Sequence, residues 1–201
     1  MQQGQIHTGT RFGALLSRIA AEEDVYNIVE IGTWNGNGST KCIIEGILSS
    51  GASKKFITIE SNKTQYDEAV VNLDILQHTN MVTALHGRVV EAADLSWFDH
   101  NTLDNDQQRW LAEDLASFET CPNVLSQLPE TIDLLLLDGG EFSTYPEFNI
   151  LQDRVTYIAL DDTRALKCKK VLEELLLDRK FELVEGGSER NGYAVFKRIL
   201  V

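Results

Sequence analysis

The chain has 201 residues, enough for one domain with a sizeable core, because a domain of this length buries roughly 70% of the surface its unfolded chain would expose. Its 18 basic and 31 acidic residues give a net charge of -13 and a pI near 4.7, a surface field that repels phosphate backbones and argues against nucleic acid as a partner. Three cysteines without a CxxC pair indicate neither a disulfide framework nor a zinc cluster, and no stretch approaches the ~18 apolar residues of a membrane span.

The start, Met1-Gln-Gln-Gly-Gln-Ile-His7, lacks a basic region ahead of an apolar run. A reduced cytoplasmic setting, no membrane association and a single domain over 1–201 are expected. Phe12, Leu15, Leu16 and Ile19 recur at helical spacing and predict a helix from Arg11 to Glu23, and Tyr26 to Ile31 reads as a buried strand. A Gly-rich turn leads into a helix from Lys41 to Ser50 that Gly51 stops. Phe56 to Glu60 predicts a second strand, Lys63 to Gln77 a helix with Ala69, Val70, Leu73 and Leu76 facing inward, and Met81 to His86 a third strand. This alternation predicts a parallel sheet with right-handed crossovers.

Residues 88–130 break the rhythm. They are polar and acidic, Arg109 is the only basic residue between 91 and 130, and one amphipathic helix is expected around Gln107 to Phe118. We read the segment as an insertion that forms a solvated face or a lid. Trp97, Phe98 and Trp110 either wall a pocket or make the insertion's own core. Ile132 to Asp138 and Val155 to Asp161 are continuous apolar runs of the kind central parallel strands show, and each ends in Asp. A helix from Arg164 to Asp178 follows. The strands Lys180 to Glu185 and Gly192 to Ile199, joined by Gly186 to Asn191, close the chain as a hairpin. The expected architecture is α/β, with a seven-stranded, mostly parallel sheet, helices on both faces and an antiparallel C-terminal hairpin.

In an open parallel sheet, ligands bind at the carboxyl ends of the strands. The first strand-to-helix turn here is Glu30-Ile-Gly32-Thr33-Trp34-Asn-Gly36-Asn-Gly38-Ser39-Thr40. Its glycines let the backbone turn sharply and approach a ligand, and Ser39 or Thr40 stands where the next helix is capped. The spacing is not G-x-G-x-x-G, which disfavours a nicotinamide-dependent oxidoreductase, and no Gly-Lys-Ser/Thr follows, which argues against a P-loop nucleotide triphosphatase. Glu60 closes the second strand, where a carboxylate accepts hydrogen bonds from the two hydroxyls of a ribose; the alternative is a solvated strand-end Glu. Glycine turn and carboxylate together indicate a nucleoside cofactor without naming it.

The stretch Val29 to Thr40 resembles the first motif, E-I-G-T-x-x-G-x-S-T, of class I S-adenosylmethionine-dependent methyltransferases. Leu137-Asp138-Gly-Gly-Glu141 and Ala159-Leu-Asp161-Asp162-Thr163 are similar to the two places where their metal-dependent small-molecule O-methyltransferase branch keeps its ion ligands. The resemblance covers nearly the whole chain by order of elements and is close only at these motifs. It implies a Rossmann-like sheet and S-adenosylmethionine as cofactor. Glu30, Gly32, Thr33, Trp34, Gly36, Gly38 and Ser39 would surround the methionine part, Glu60 and Ser61 would meet the ribose, Gly87 and Arg88 would lie near the adenine, and Asp138 would stand beside the cofactor.

The resemblance further implies Mg²⁺ or another divalent cation on Asp138, Asp161 and Asp162, holding a substrate oxygen. Strand-end residues also cap helices, and Asp162 or Thr163 is placed to do so for the helix near Arg164. Glu141 departs from the basic Lys or His that the resembled enzymes carry at this place. It is the candidate general base, with a fourth metal ligand and a surface residue as the alternatives. His7, His78, His86 and His100 show no ligand spacing, Cys42 and Cys168 read as small core residues, and Cys121 has no base partner visible in the sequence. The implied function is methyl transfer to the hydroxyl of a small-molecule acceptor, with a homodimer left open. The alternative is a non-catalytic cofactor-binding or interaction module of the same fold.

Overall fold

The computed structural model describes residues 4–75 and 81–199. Helix and strand alternate from the start, through α1 (Arg11–Ala21), β1 (Asn27–Ile31), α2 (Ser39–Ser50), β2 (Lys55–Glu60), α3 (Lys63–Ile75) and β3 (Val82–His86). A long connection carrying α4 (Asn105–Thr120) leads to β4 (Ile132–Leu137), α5 (Thr144–Leu151), β5 (Val155–Asp161), α6 (Leu166–Leu177), β6 (Phe181–Gly187) and β7 (Tyr193–Arg198). The strands form one sheet in the order β3-β2-β1-β4-β5-β7-β6. Neighbours from β3 to β5 run parallel, and β7 pairs antiparallel with both β5 and β6. This is the α/β architecture expected from the sequence, with its seven strands and closing hairpin.

The sheet is buried on both faces because its middle strands are apolar on both. Along β4, Leu134 and Leu136 join the core beneath α1 and α2, where Phe12, Leu16, Ile43 and Ile47 lie, while Leu135 and Leu137 join the opposite core with Phe142, Phe148 and Val171. Each such leucine, fully buried, contributes about 1.5–3 kcal/mol. The period of two also places Glu30 of β1 on the α1/α2 side, with Ile28, while Val29 and Ile31 face the other way. Strand order reverses between β1 and β4, so the connections leave to opposite sides there and open a crevice at the strand ends.

Gly51 ends α2 as expected, in the left-handed conformation with φ of 65°, its N–H donating to Leu48 O. The expected start of that helix is different. Gly38 is the N-cap and neither Ser39 nor Thr40 caps the helix end, because both hydroxyls turn back to Glu30. The N-cap of α6 is likewise Ala165, without a side-chain cap from Asp162 or Thr163. On α3, Ala69 and Leu73 are buried but Val70 is exposed, and Leu76 and Gln77, expected in the same helix, lie outside the described residues. The sequence pattern also gave no sign of α5, an eight-residue helix with Pro146 in its first turn.

The connection between β3 and β4 folds as turns at Ala92–Ser96, His100–Thr102 and Leu125–Gln127 around α4. Aromatic packing ties it to the loop after β4. The Trp97 indole donates to Phe142 O at 2.8 Å, Phe98 rests on Phe142 with ring centres 4.6 Å apart, and Trp110 lies largely in solvent.

Candidate functional site

A cavity of about 560 Å³ opens at the carboxyl ends of β1, β2, β3 and β4, within the roughly 300–1,000 Å³ range of small-molecule sites. The turn after β1 contributes Gly32, Thr33, Trp34, Gly38 and Ser39; Glu60 and Ser61 follow β2, Gly87 and Arg88 follow β3, and Asp138 follows β4. Of the eleven expected cofactor positions other than Glu30, the fold brings ten to one space, together with Asp162, while Gly36 faces Ala69 of α3 instead.

Gly32 is required where it stands. Its φ is 99°, and a Cβ there would strike the carbonyl of Asp138 on the neighbouring strand. Trp34 (φ 48°), Asp162 (φ 54°) and Arg190 (φ 53°) also hold left-handed backbone although none is glycine, and all three line the cavity. Such conformations cost about 1–3 kcal/mol each and concentrate at functional sites, where the surroundings hold them in place.

Glu30 lies behind the turn rather than in the cavity. It is fully buried, and its carboxylate accepts hydrogen bonds from Ser39 Oγ at 2.6 Å, Thr40 Oγ1 at 2.6 Å and Thr58 Oγ1 at 2.7 Å. Burial raises its pKa to about 7 against the pull of those three hydroxyls. Its place is therefore that of an anchor, tying β1, β2 and the first turn of α2 together beneath the glycines. Thr33 and Thr58 join the same network through a hydroxyl–hydroxyl hydrogen bond.

Glu60 does reach the cavity. Its carboxylate accepts from Trp34 N at 2.8 Å and Asn62 N at 2.9 Å, and burial raises its pKa to about 7. Each oxygen keeps a further lone pair for a ligand hydroxyl. Beside it, Arg88 is held away from Glu60 by Cys121 O and by Glu91 at 2.6 Å. His86 Nε2 lies 3.1 Å from Ser61 O.

Glu141, the expected base, does not line the cavity. Its carboxylate accepts the backbone N–H groups of Leu166 and Lys167 at the start of α6, and burial holds its pKa above the usual carboxylate value. It satisfies the helix end that Ala165 leaves uncapped. Two other acids face the space between the loop after β4 and the connection: Asp114 from α4 and Glu147 from α5. Asp114 Oδ2 and Glu147 Oε2 are buried without a hydrogen-bond partner. Burial raises Asp114 to about 6 and Glu147 to about 8. Neither was singled out from the sequence, where Asp114 is one acidic residue among many in its segment and Glu147 belongs to a helix that no pattern disclosed.

Asp138, Asp161 and Asp162 converge as expected, with one carboxylate oxygen of each within 4.8 Å of the others. The residues around them do not fit a divalent ion. Lys167 Nζ, itself buried, lies 2.7 Å from Asp138 Oδ1 and 3.0 Å from Asp162 Oδ2, and Arg190 Nη2 lies 2.9 Å from Asp161 Oδ2. Burial opposes the charge on Lys167, but the aspartates more than restore it and hold the ammonium above its ordinary pKa. Burial also pushes Asp162 upward, and Lys167 and Arg190 outweigh it, so that carboxyl titrates below the usual range. The sequence did carry a signal for this, since Lys167 stands four and eight residues before the buried Val171 and Leu175, on the inner stripe of α6.

No protein-family model and no curated protein sequence matches the chain. Solved structures do match over most of its length. A Podospora anserina methyltransferase bound to S-adenosylhomocysteine superposes with a TM-score of 0.64 at 13% identity, covering 93% of this chain and 77% of its own. An O-methyltransferase from Bacillus cereus in complex with the same compound gives 0.63 at 14% identity, over 93% and 80%. An O-methyltransferase from Streptomyces achromogenes, involved in tomaymycin synthesis and complexed with S-adenosylmethionine, gives 0.61 at 13% identity, over 92% and 78%. The chain has the fold of the class I S-adenosylmethionine-dependent methyltransferases.

Proposed function

We propose that this chain, folded as a class I methyltransferase, binds S-adenosylmethionine at the strand ends and transfers its methyl group to a hydroxyl of a small molecule. The observation that carries the reading is Glu60, a partly free carboxylate at the end of β2, facing the same cavity as the Gly32 turn of β1. That pair suits a ribose beside a close-approaching backbone. The similar structures that hold S-adenosylhomocysteine or S-adenosylmethionine support the choice of nucleoside, and their O-methyltransferase descriptions support an oxygen acceptor.

The bound cofactor supplies a methyl group already activated on a sulfonium. What remains for the protein is orientation and the exclusion of water. The turn from Gly32 to Ser39 borders the methionine part, Glu60 and Ser61 the ribose, and Gly87 with Arg88 the adenine. Asp114 and Glu147, each with an unpartnered oxygen beside the Gly139-Gly140 loop, stand on the acceptor side. Asp114, with a pKa of about 6, is ionised near neutral pH and suits a group that takes up the hydroxyl proton, while Glu147, at about 8, keeps its own proton there and suits a hydrogen-bond donor. This assigns to Asp114 the role that the sequence suggested for Glu141, whose carboxylate is engaged with α6.

The same reading includes a small-molecule acceptor rather than nucleic acid, in keeping with the net charge of -13, and a reducing cytoplasmic setting, in keeping with three free cysteines. Among the described residues no helix is long and apolar enough to cross a membrane. Calorimetric titration with S-adenosylhomocysteine, and separately with NADH, tests the proposal. Heat is expected from S-adenosylhomocysteine alone; heat only from NADH, or from neither, would overturn the reading.

A further inference from the structure

We infer that the carboxylate cluster at the ends of β4 and β5 carries its own counter-cation, the Lys167 ammonium, in the space a divalent ion would need, so that the cluster does not take up a divalent metal. The geometry points there from three sides. Lys167 Nζ bridges Asp138 Oδ1 at 2.7 Å and Asp162 Oδ2 at 3.0 Å, between two of the three carboxylates that a divalent ion would need. Arg190 grips Asp161 with Nη2 2.9 Å from Oδ2 and Nη1 3.3 Å from Oδ1, and also lies 3.7 Å from Asp162. Two cations therefore already face three carboxylates.

Lys167 has no easy exit. Its side chain is only 8% exposed, and its backbone sits in the first turn of α6, where the Glu141 carboxylate holds the N–H groups of Leu166 and Lys167. The next residue, Cys168, is buried with Sγ 3.7 Å from Leu137 O. A divalent ion entering between the aspartates would leave this ammonium buried beside a second positive charge, an arrangement strongly disfavoured in a protein interior. Mg²⁺ in addition demands oxygen ligands at roughly 2.0–2.1 Å in octahedral array, with Lys167 donating to two of them. Lys167 is thus a positioning residue, fixing Asp138 and Asp162 on the cavity wall where both line the space for cofactor and acceptor.

Lys167 and Arg190 face the aspartates in the free protein, so Mn²⁺ binding is measured without the nucleoside. MnCl2 is titrated into the full chain and free Mn²⁺ is followed by electron paramagnetic resonance. Wild type is expected to leave Mn²⁺ free up to millimolar concentration, and Lys167→Met to gain a site at least about 100-fold tighter, which Asp161→Asn added to Lys167→Met removes. Because Lys167→Met is expected to lower stability, a melt of wild type in EDTA and in MgCl2 gives an independent readout, with no shift expected. Micromolar Mn²⁺ binding by wild type that Asp161→Asn abolishes, or a melting point raised by MgCl2, would overturn the inference. So would a folded Lys167→Met that gains no Mn²⁺ affinity.

Discussion

Two groups of buried and half-buried carboxylates lie around the cavity, and they are kept in opposite ways. At β1 and β2, Glu30 and Glu60 are met by hydroxyls and backbone amides alone, and burial raises both pKa values to about 7. At β4 and β5, Asp138, Asp161 and Asp162 are met by Lys167 and Arg190. On the first side Glu60 offers acceptors to a hydroxyl-bearing ligand, its own partners being backbone amides. The second already holds two cations against its three carboxylates, and Asp162 Oδ1 keeps no hydrogen-bond partner. Acidic residues at equivalent strand ends thus differ in chemistry through what reaches them: hydroxyls and loop amides on one side, and on the other Lys167 of α6 and Arg190 of the loop between β6 and β7.

The largest expected effect falls on the ionic side. Lys167→Met leaves buried charges uncompensated and is expected to lower unfolding free energy by about 3–5 kcal/mol, against about 1 kcal/mol for Thr40→Val, which removes one hydroxyl donor from Glu30. Urea denaturation of both variants checks this, and equal losses would erase the distinction between the two sides. Next comes ligand affinity. Glu60→Ala is expected to weaken S-adenosylhomocysteine by about 10- to 100-fold through lost charge-assisted hydrogen bonds, while Asp161→Asn leaves it within about threefold; calorimetry on the two variants would break the comparison if their order were reversed.

A smaller effect appears with pH. Glu147 titrates at about 8 and Glu30 at about 7 in the folded chain, both above their ordinary 4.5. The folded state therefore keeps protons that the unfolded chain has released. This contribution is fully present below the unfolded value and is lost as pH rises through 7 and 8. Melting temperature is expected to fall between pH 6 and pH 8.5, and Glu147→Gln, which cannot titrate, flattens the slope. A steeper slope in that variant would contradict the assignment. Smallest of all, Trp110→Ala should change stability by no more than about 0.5 kcal/mol, since the side chain lies on the surface, whereas Trp97→Ala removes the indole that holds the connection to Phe142.

The strands were legible in the sequence because Ile132–Leu137 and Val155–Asp161 are apolar on both faces, a pattern that a central parallel strand imposes. The turn at Gly32 and the carboxylate at Glu60 were legible for the same local reason, being fixed by short-range backbone geometry. Helix α5 was not, since Gly139-Gly140 and Pro146 read as loop while its burial comes from Phe148 and Leu151 packing beneath the sheet. The partners of the aspartates were hidden differently. Asp138, Asp161 and Asp162 announce themselves at strand ends, but Lys167 lies 29 residues from Asp138 and Arg190 lies 29 from Asp161, and only tertiary packing aims them inward. Glu30 and Glu141 were correctly noticed as unusual, yet the first turns under its loop and the second to a helix end, because each satisfies backbone or hydroxyl groups that burial would otherwise leave unpaired.

The most direct test of the account is a crystal structure of the chain grown with S-adenosylmethionine and MnCl2, with anomalous diffraction recorded for manganese. The account predicts the ribose hydroxyls within hydrogen-bond distance of the Glu60 carboxylate, the methionine part along the Gly32 turn, and Lys167 between Asp138 and Asp162 without a manganese peak. A nucleoside bound away from Glu60 would contradict it.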